Sequence, residues 1–114
     1  MFTIPRNCLL IPVTGDNEVE MFNIALDGNI YTMRFDFIHR YRAWYLTMYS
    51  ATSGMLFRAK LRAVGFPGMF KVNSEMPPGA FICANIIDPT IEPNLDNFGA
   101  DKDVKLYYVS TVIV

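Results

Sequence analysis

The chain has one histidine and two cysteines among its 114 residues, and charged side chains make up only 18% of it. Each shortage excludes something. With His39 alone, no multi-histidine metal centre can form, and a Cys–His nucleophile pair would need a distant cysteine to reach a turn flanked by Arg40 and Arg42. A solvated loop position is the expectation for that ring. Cys8 and Cys83 lie far apart with no CxxC pattern, so free, buried thiols of a reducing cytosol are expected rather than a disulfide framework. No GxGxxG or Walker loop occurs, and Gly65-Phe-Pro-Gly68 places a proline where a phosphate cradle needs N–H donors. Asp101 and Asp103 flank Lys102 without the spacing of an EF-hand or of a carboxylate pair held for acid–base work. No apolar run approaches the roughly 18 residues of a membrane span, and Met1-Phe-Thr-Ile-Pro-Arg6 does not open as a signal peptide does. The expectation is a protein with no enzymatic activity, no cofactor, no small-molecule substrate and no membrane insertion.

What is abundant is apolar surface. AVILMFWYC residues reach 52%, while the charged share falls below the roughly 25% of an average domain. Such a chain either carries more apolar surface than one small core can hide, and buries the excess against another subunit, or fills a β core unusually well. Residues 1–114 are expected to form a single domain, with 1–17 as an N-terminal arm or edge strand that ends in the turn cluster Thr14-Gly15-Asp16-Asn17.

Helical periodicity is missing throughout, and alternation replaces it. Asp27-Gly28 separates two alternating runs and signals a type I′ hairpin, because both central residues of that turn need φ > 0. A two-residue loop sets Leu26 against Asn29, Ile24 against Tyr31 and Phe22 against Met33, so apolar residues meet on one face. Further strands are expected over Ala43–Tyr49, whose two bulky faces mark it as central in its sheet, and over Met55–Ala63, Phe81–Ile87 and Val104–Val114. In the second of these, Met55, Phe57, Ala59, Leu61 and Ala63 are expected on one side and Arg58, Lys60 and Arg62 on the other. Residues 88–103 form a long acidic loop, expected to be a contact element or mobile, with one short helical turn near Leu95. The fold class is all-β: a small antiparallel sandwich or partly closed barrel of about six to eight strands.

Charge is unevenly spread along the chain. Seven basic residues (Arg34, Arg40, Arg42, Arg58, Lys60, Arg62 and Lys71) stand between positions 34 and 71 against one acid, Asp36. Folding either turns this into unlike patches that guide head-to-tail assembly or interleaves it away. On the first reading the candidate interface is Arg58, Lys60, Arg62, Tyr41 and Arg42, with the apolar end Val112, Ile113 and Val114 covered by a neighbour, and the cationic face meets the acidic loop of another copy. A second function class rests on the same residues: Arg40-Tyr41-Arg42, Trp44, Tyr45 and Tyr49 beside a cationic strand are the elements of an OB-like single-stranded nucleic-acid surface. An acidic pI near 5.7 weighs against it.

The succession Phe22-x-Ile-x-Leu-Asp-Gly28-x-x-Tyr31, Arg34-Phe35, Trp44-Tyr-Leu46, Ser53-Gly54, Pro77-Pro-Gly79, Phe98-Gly99 and Val104-Lys-Leu-Tyr-Tyr108 resembles the small baseplate plug proteins of contractile-tailed bacteriophages. The resemblance covers roughly residues 19–108 and lies in the order and spacing of the motifs. It implies a virion structural protein made in the host cytoplasm. Such a protein sits on the central axis of the tail baseplate as a homo-oligomer, between the tail tube and the hub or spike. The segment through Pro12 stands outside the resemblance, as an extension.

Overall fold

The organising hairpin forms in the expected register. In the computed structural model, which describes residues 8–52, 54–63, 77 and 79–110, β2 (Val19–Leu26) and β3 (Asn29–Ile38) pair antiparallel with Leu26 opposite Asn29, Ile24 opposite Tyr31 and Phe22 opposite Met33. Asp27 (φ 50°) and Gly28 (φ 87°) make the turn, whose backbone twist matches that of the strands it joins. The terminal Val112, Ile113 and Val114, and the connection through Gly68, lie outside the described residues.

β4 (Ala43–Ser50) pairs with β3 on one side and β5 (Gly54–Lys60) on the other, so the strand with two bulky faces is indeed interior. The second sheet has the order β1-β7-β6, from β1 (Cys8–Leu10), β6 (Ala80–Asn85) and β7 (Val104–Val109). The two antiparallel sheets, three-stranded and four-stranded, enclose one core as an open sandwich rather than a closed barrel. No helix occurs among the described residues.

Two expectations need correction. The alternation of β5 is broken by a bulge: Met48 opposes Phe57 but Tyr49 opposes Met55, leaving Leu56 as the extra residue. Met55 therefore turns to the outer face, 61% exposed, instead of facing the core. The expected strand Phe81–Ile87 stops at Asn85, because the Asn85 side-chain oxygen accepts the N–H groups of Ile87 (3.0 Å) and Asp88 (2.9 Å) and bends the chain away. Near Leu95 the chain makes a single hydrogen-bonded turn over residues 95–97, capped by Asn94 Oδ1 accepting from Asp96 and Asn97.

The long acidic loop contributes to the core of its own chain. Its Phe98 is fully buried, with its ring centroid 5.2 Å from that of Trp44 and 5.9 Å from that of Phe35. The Trp44 indole N–H donates to Asn94 O at 2.9 Å, and Ala100 N–H to Val13 O at 2.7 Å. The loop thus closes one end of the sandwich. Close approach makes this possible: a Cβ on Gly15, itself at φ +72°, would lie 1.7 Å from the Phe98 carbonyl oxygen. The opposite end is tied by Asp27, whose carboxylate accepts from the Tyr108 and Ser110 hydroxyls, while Tyr108 Oη accepts the Gly79 N–H at 2.8 Å.

Both ends yield tests. A Cβ at Gly28 meets nothing within 4 Å, so Gly28→Ala should cost only the left-handed backbone penalty, about 1–2 kcal/mol. Gly15→Ala adds a backbone collision to the same penalty, and urea denaturation should show it to be much the more damaging; equal losses would mean that the Gly15–Phe98 contact has been misplaced. Burial and the hydrogen bond to Asp27 push the Tyr108 phenol well above its ordinary range. Its folded state holds the proton more tightly than the unfolded chain, so this contribution is intact below the unfolded pKa of about 10 and is lost as pH rises through the folded value. Tyr108→Phe should cost about 1–3 kcal/mol at neutral pH by leaving the Gly79 N–H unpaired, and thermal melts should show a shallower alkaline decline than in the parent protein.

Candidate interaction surface

Because side chains alternate across a pleated sheet, the residues that do not enter the core of the four-stranded sheet stand together on its outer face. The register aligns them in rows. Val19, Asp36, Tyr45 and Lys60 form one row across β2 to β5, Met21, Arg34, Thr47 and Arg58 the next, and Asn23, Thr32, Tyr49 and Met55 a third. Arg34 Nε lies 3.1 Å from both carboxylate oxygens of Asp36. That pair occupies the middle of the face, where Asp36 and Thr47 are themselves buried.

Of the residues singled out from the sequence, the structure brings several together. The turn after β3 carries Tyr41 and Arg42, with Arg42 at φ 50° and Tyr41 N–H donating to Ile38 O at 3.1 Å. The exposed Tyr41 ring lies 6.2 Å from Tyr45, and the Arg58 guanidinium lies 5.3 Å from the Tyr45 ring on the other side. Arg40 adds a second cation 6.0 Å from Tyr41. Lys60 stands in the same row as Tyr45, exposed. Arg62 is spent differently: its Nε lies 3.3 Å from Glu92 of the same chain, and Glu92 also accepts the Ala63 N–H at 3.0 Å. Trp44 is fully buried and offers no stacking surface. His39 is exposed, with Nε2 2.6 Å from Glu18. Val112, Ile113 and Val114 lie outside the described residues.

A second surface was not legible in the sequence. At the closed end, beyond β6, Ile86, Ile87 and Ile91 are exposed, Ile87 by 70%. The loop holding them is stiffened from within: besides the two bonds to Asn85 Oδ1, Asn85 Nδ2 donates to Ile91 O at 3.2 Å, and Asp88 Oδ1 accepts both the N–H and the hydroxyl of Thr90. These bonds hold the Asp88 carboxyl below its usual range. The apolar run Phe81 to Ile87 read as a continuous strand; the signal against that was Asn85 three residues before Asp88-Pro89, a pair of turn formers.

The thiols are inert. Burial, with Glu92 adding to it, pushes Cys83 up to about 12, and burial raises Cys8 as well, so neither is a thiolate at neutral pH. Cys8 opposes Val109 and Cys83 opposes Leu106 on β7, an odd separation that puts them on opposite faces of the sheet. Among the described residues, no three of His, Cys, Asp and Glu cluster as a metal site would need.

Comparison with known proteins adds the remaining fact. The family profile described as "Cyanophage baseplate Pam3 plug gp18" matches residues 9–111. Neither a search of curated proteins nor one of solved structures yields a match. The matched span takes in Leu9 to Pro12, so that part of the presumed N-terminal extension belongs to the family pattern. The chain therefore belongs to the cyanophage baseplate plug family, structural components of the virion baseplate.

Proposed function

We propose that the protein acts as a plug on the central axis of the baseplate, between the end of the tail tube and the hub or spike, and that it works by contact, without chemistry of its own. The family match over residues 9–111 carries this reading. The surfaces support it. Large apolar side chains stand exposed on both sheets, with Val19 at 53% and Met21 at 63% on β2 and Leu9 at 42% on β1, and patches of this kind mark protein contacts. The edge strand β2 runs eight residues without Pro, Lys or bulge, which suits a strand that meets a neighbour.

Reconstruction of the purified particle should place the chain between tube and hub. Density for it elsewhere, or its absence from the virion by mass spectrometry, would overturn the axial position. The nucleic-acid alternative keeps the Arg40, Tyr41, Tyr45 and Arg58 stack but loses Trp44 to the core and Arg62 to Glu92. Fluorescence anisotropy with labelled single-stranded oligonucleotides should detect only weak, non-specific association near physiological salt. Submicromolar affinity that falls steeply with added salt, as counterion release requires, would favour that alternative over the plug.

A further inference from the structure

We infer that the protein assembles with copies of itself head to face, the isoleucine loop at the closed end of one copy seating on the cationic, tyrosine-bearing outer face of the four-stranded sheet of the next. The inference deepens the contact role proposed above and rests on it for its setting in the virion.

The two surfaces complement each other in both apolar and charged character. Ile86, Ile87 and Ile91 project from a loop already fixed by the Asn85 and Asp88 side chains, so little ordering entropy remains to be lost on docking. The connection that carries them is acidic on balance, with Asp101 and Asp103 exposed on either side of Lys102, which pairs with Asp16, and with Ile86 N–H bonded to Asp103 O at 2.9 Å. The receiving face offers Tyr45, Tyr49 and the exposed Met55, with Lys60 beside Tyr45 and Arg58 in the row between the two tyrosines. Methionine and tyrosine adapt to an aliphatic side chain without strict shape demands.

Geometry forbids the pairing within one protomer. The loop continues strands of the three-stranded sheet, whereas the face points away from that sheet. Among the described residues, the one ion pair between the cationic run and the acidic loop is Arg62 with Glu92, at the border. Symmetric association is disfavoured as well. Two such faces brought together would oppose Arg58 and Lys60 to themselves, and two closed ends would oppose their acids, while the mixed contact sets each against its opposite. A mixed contact is heterologous, the kind that builds rings or stacks.

Sedimentation velocity of the intact chain provides the test, with Ile87→Glu to disable the loop and Arg58→Glu with Lys60→Glu to disable the face. All of these side chains are exposed, and far-UV circular dichroism should be unchanged; Lys60→Glu alone serves as a milder second face variant. The parent protein should self-associate, and each variant should weaken that association at least tenfold. A 1:1 mixture of the loop variant and the face variant should recover a dimer and nothing larger, because each supplies the half that the other lacks. A parent protein that stays monomeric at all accessible concentrations, variants that assemble like the parent, or a mixture that gives no heterodimer would each overturn the inference. A monomer that still occupies the axial position in the particle would overturn it and leave the proposed function standing, whereas an assembling protein absent from the virion would do the reverse.

Discussion

The contact between Gly15 and the backbone of Phe98 is the constraint on which the rest of the sandwich depends. Phe98 comes from a loop, not a strand, yet its ring fills the space between Phe35 and Trp44 and completes the aromatic interior. It can do so only if the chain before β2 passes within van der Waals reach of the loop, and only glycine permits that approach. The hydrogen bond from Ala100 to Val13 and the parallel bridge of Phe98 to Val104 then hold the loop against both neighbours. The eighteen-residue connection between β6 and β7 is thereby converted from an entropic liability into the lid of the core.

The other end is closed by different means. Asp27 serves twice, as a left-handed residue of the hairpin turn and as the acceptor for Tyr108 and Ser110. One side chain therefore links the tip of the four-stranded sheet to β7 of the three-stranded one. With both ends closed, what the described residues present to others is the outer faces, the strand edges and the isoleucine loop.

Legibility in the sequence followed the range of the interactions. The hairpin register was readable because turn chemistry and period-2 alternation are both local, and Asp27-Gly28 states them together. The interior position of β4 was readable from Trp44, Leu46 and Met48 alternating with Tyr45, Thr47 and Tyr49. The bulge at Leu56 was not, since alternation says nothing about a residue inserted without a glycine or a polar break, and Met55 was assigned to the wrong face. The packing of Phe98 was invisible for another reason: it depends on Gly15, Val13 and Trp44, which are remote in the chain. The Ile86, Ile87 and Ile91 loop was hidden inside an apolar run that reads as strand until the hydrogen bonds of Asn85 are seen.

The same distinction governs what can be read from charge. Between Arg34 and Lys71 the sequence shows a strong cationic excess, but the fold consumes part of it: Arg34 is held by Asp36, and Arg62 by Glu92. Counted from the sequence, the run Met55–Ala63 offers three cations to a partner; counted from the structure, β5 offers Arg58, stacked on Tyr45, and Lys60. Aromatic residues are reduced in the same way, since Trp44 serves the core and leaves Tyr41, Tyr45 and Tyr49 beside the cations. These subtractions remove what a nucleic-acid surface would need most, a flat exposed indole among several unpaired cations. What they leave is a modest set of cations interleaved with tyrosine and methionine. Cations so placed direct and orient a protein partner, while most of the binding energy must come from the apolar surface beside them.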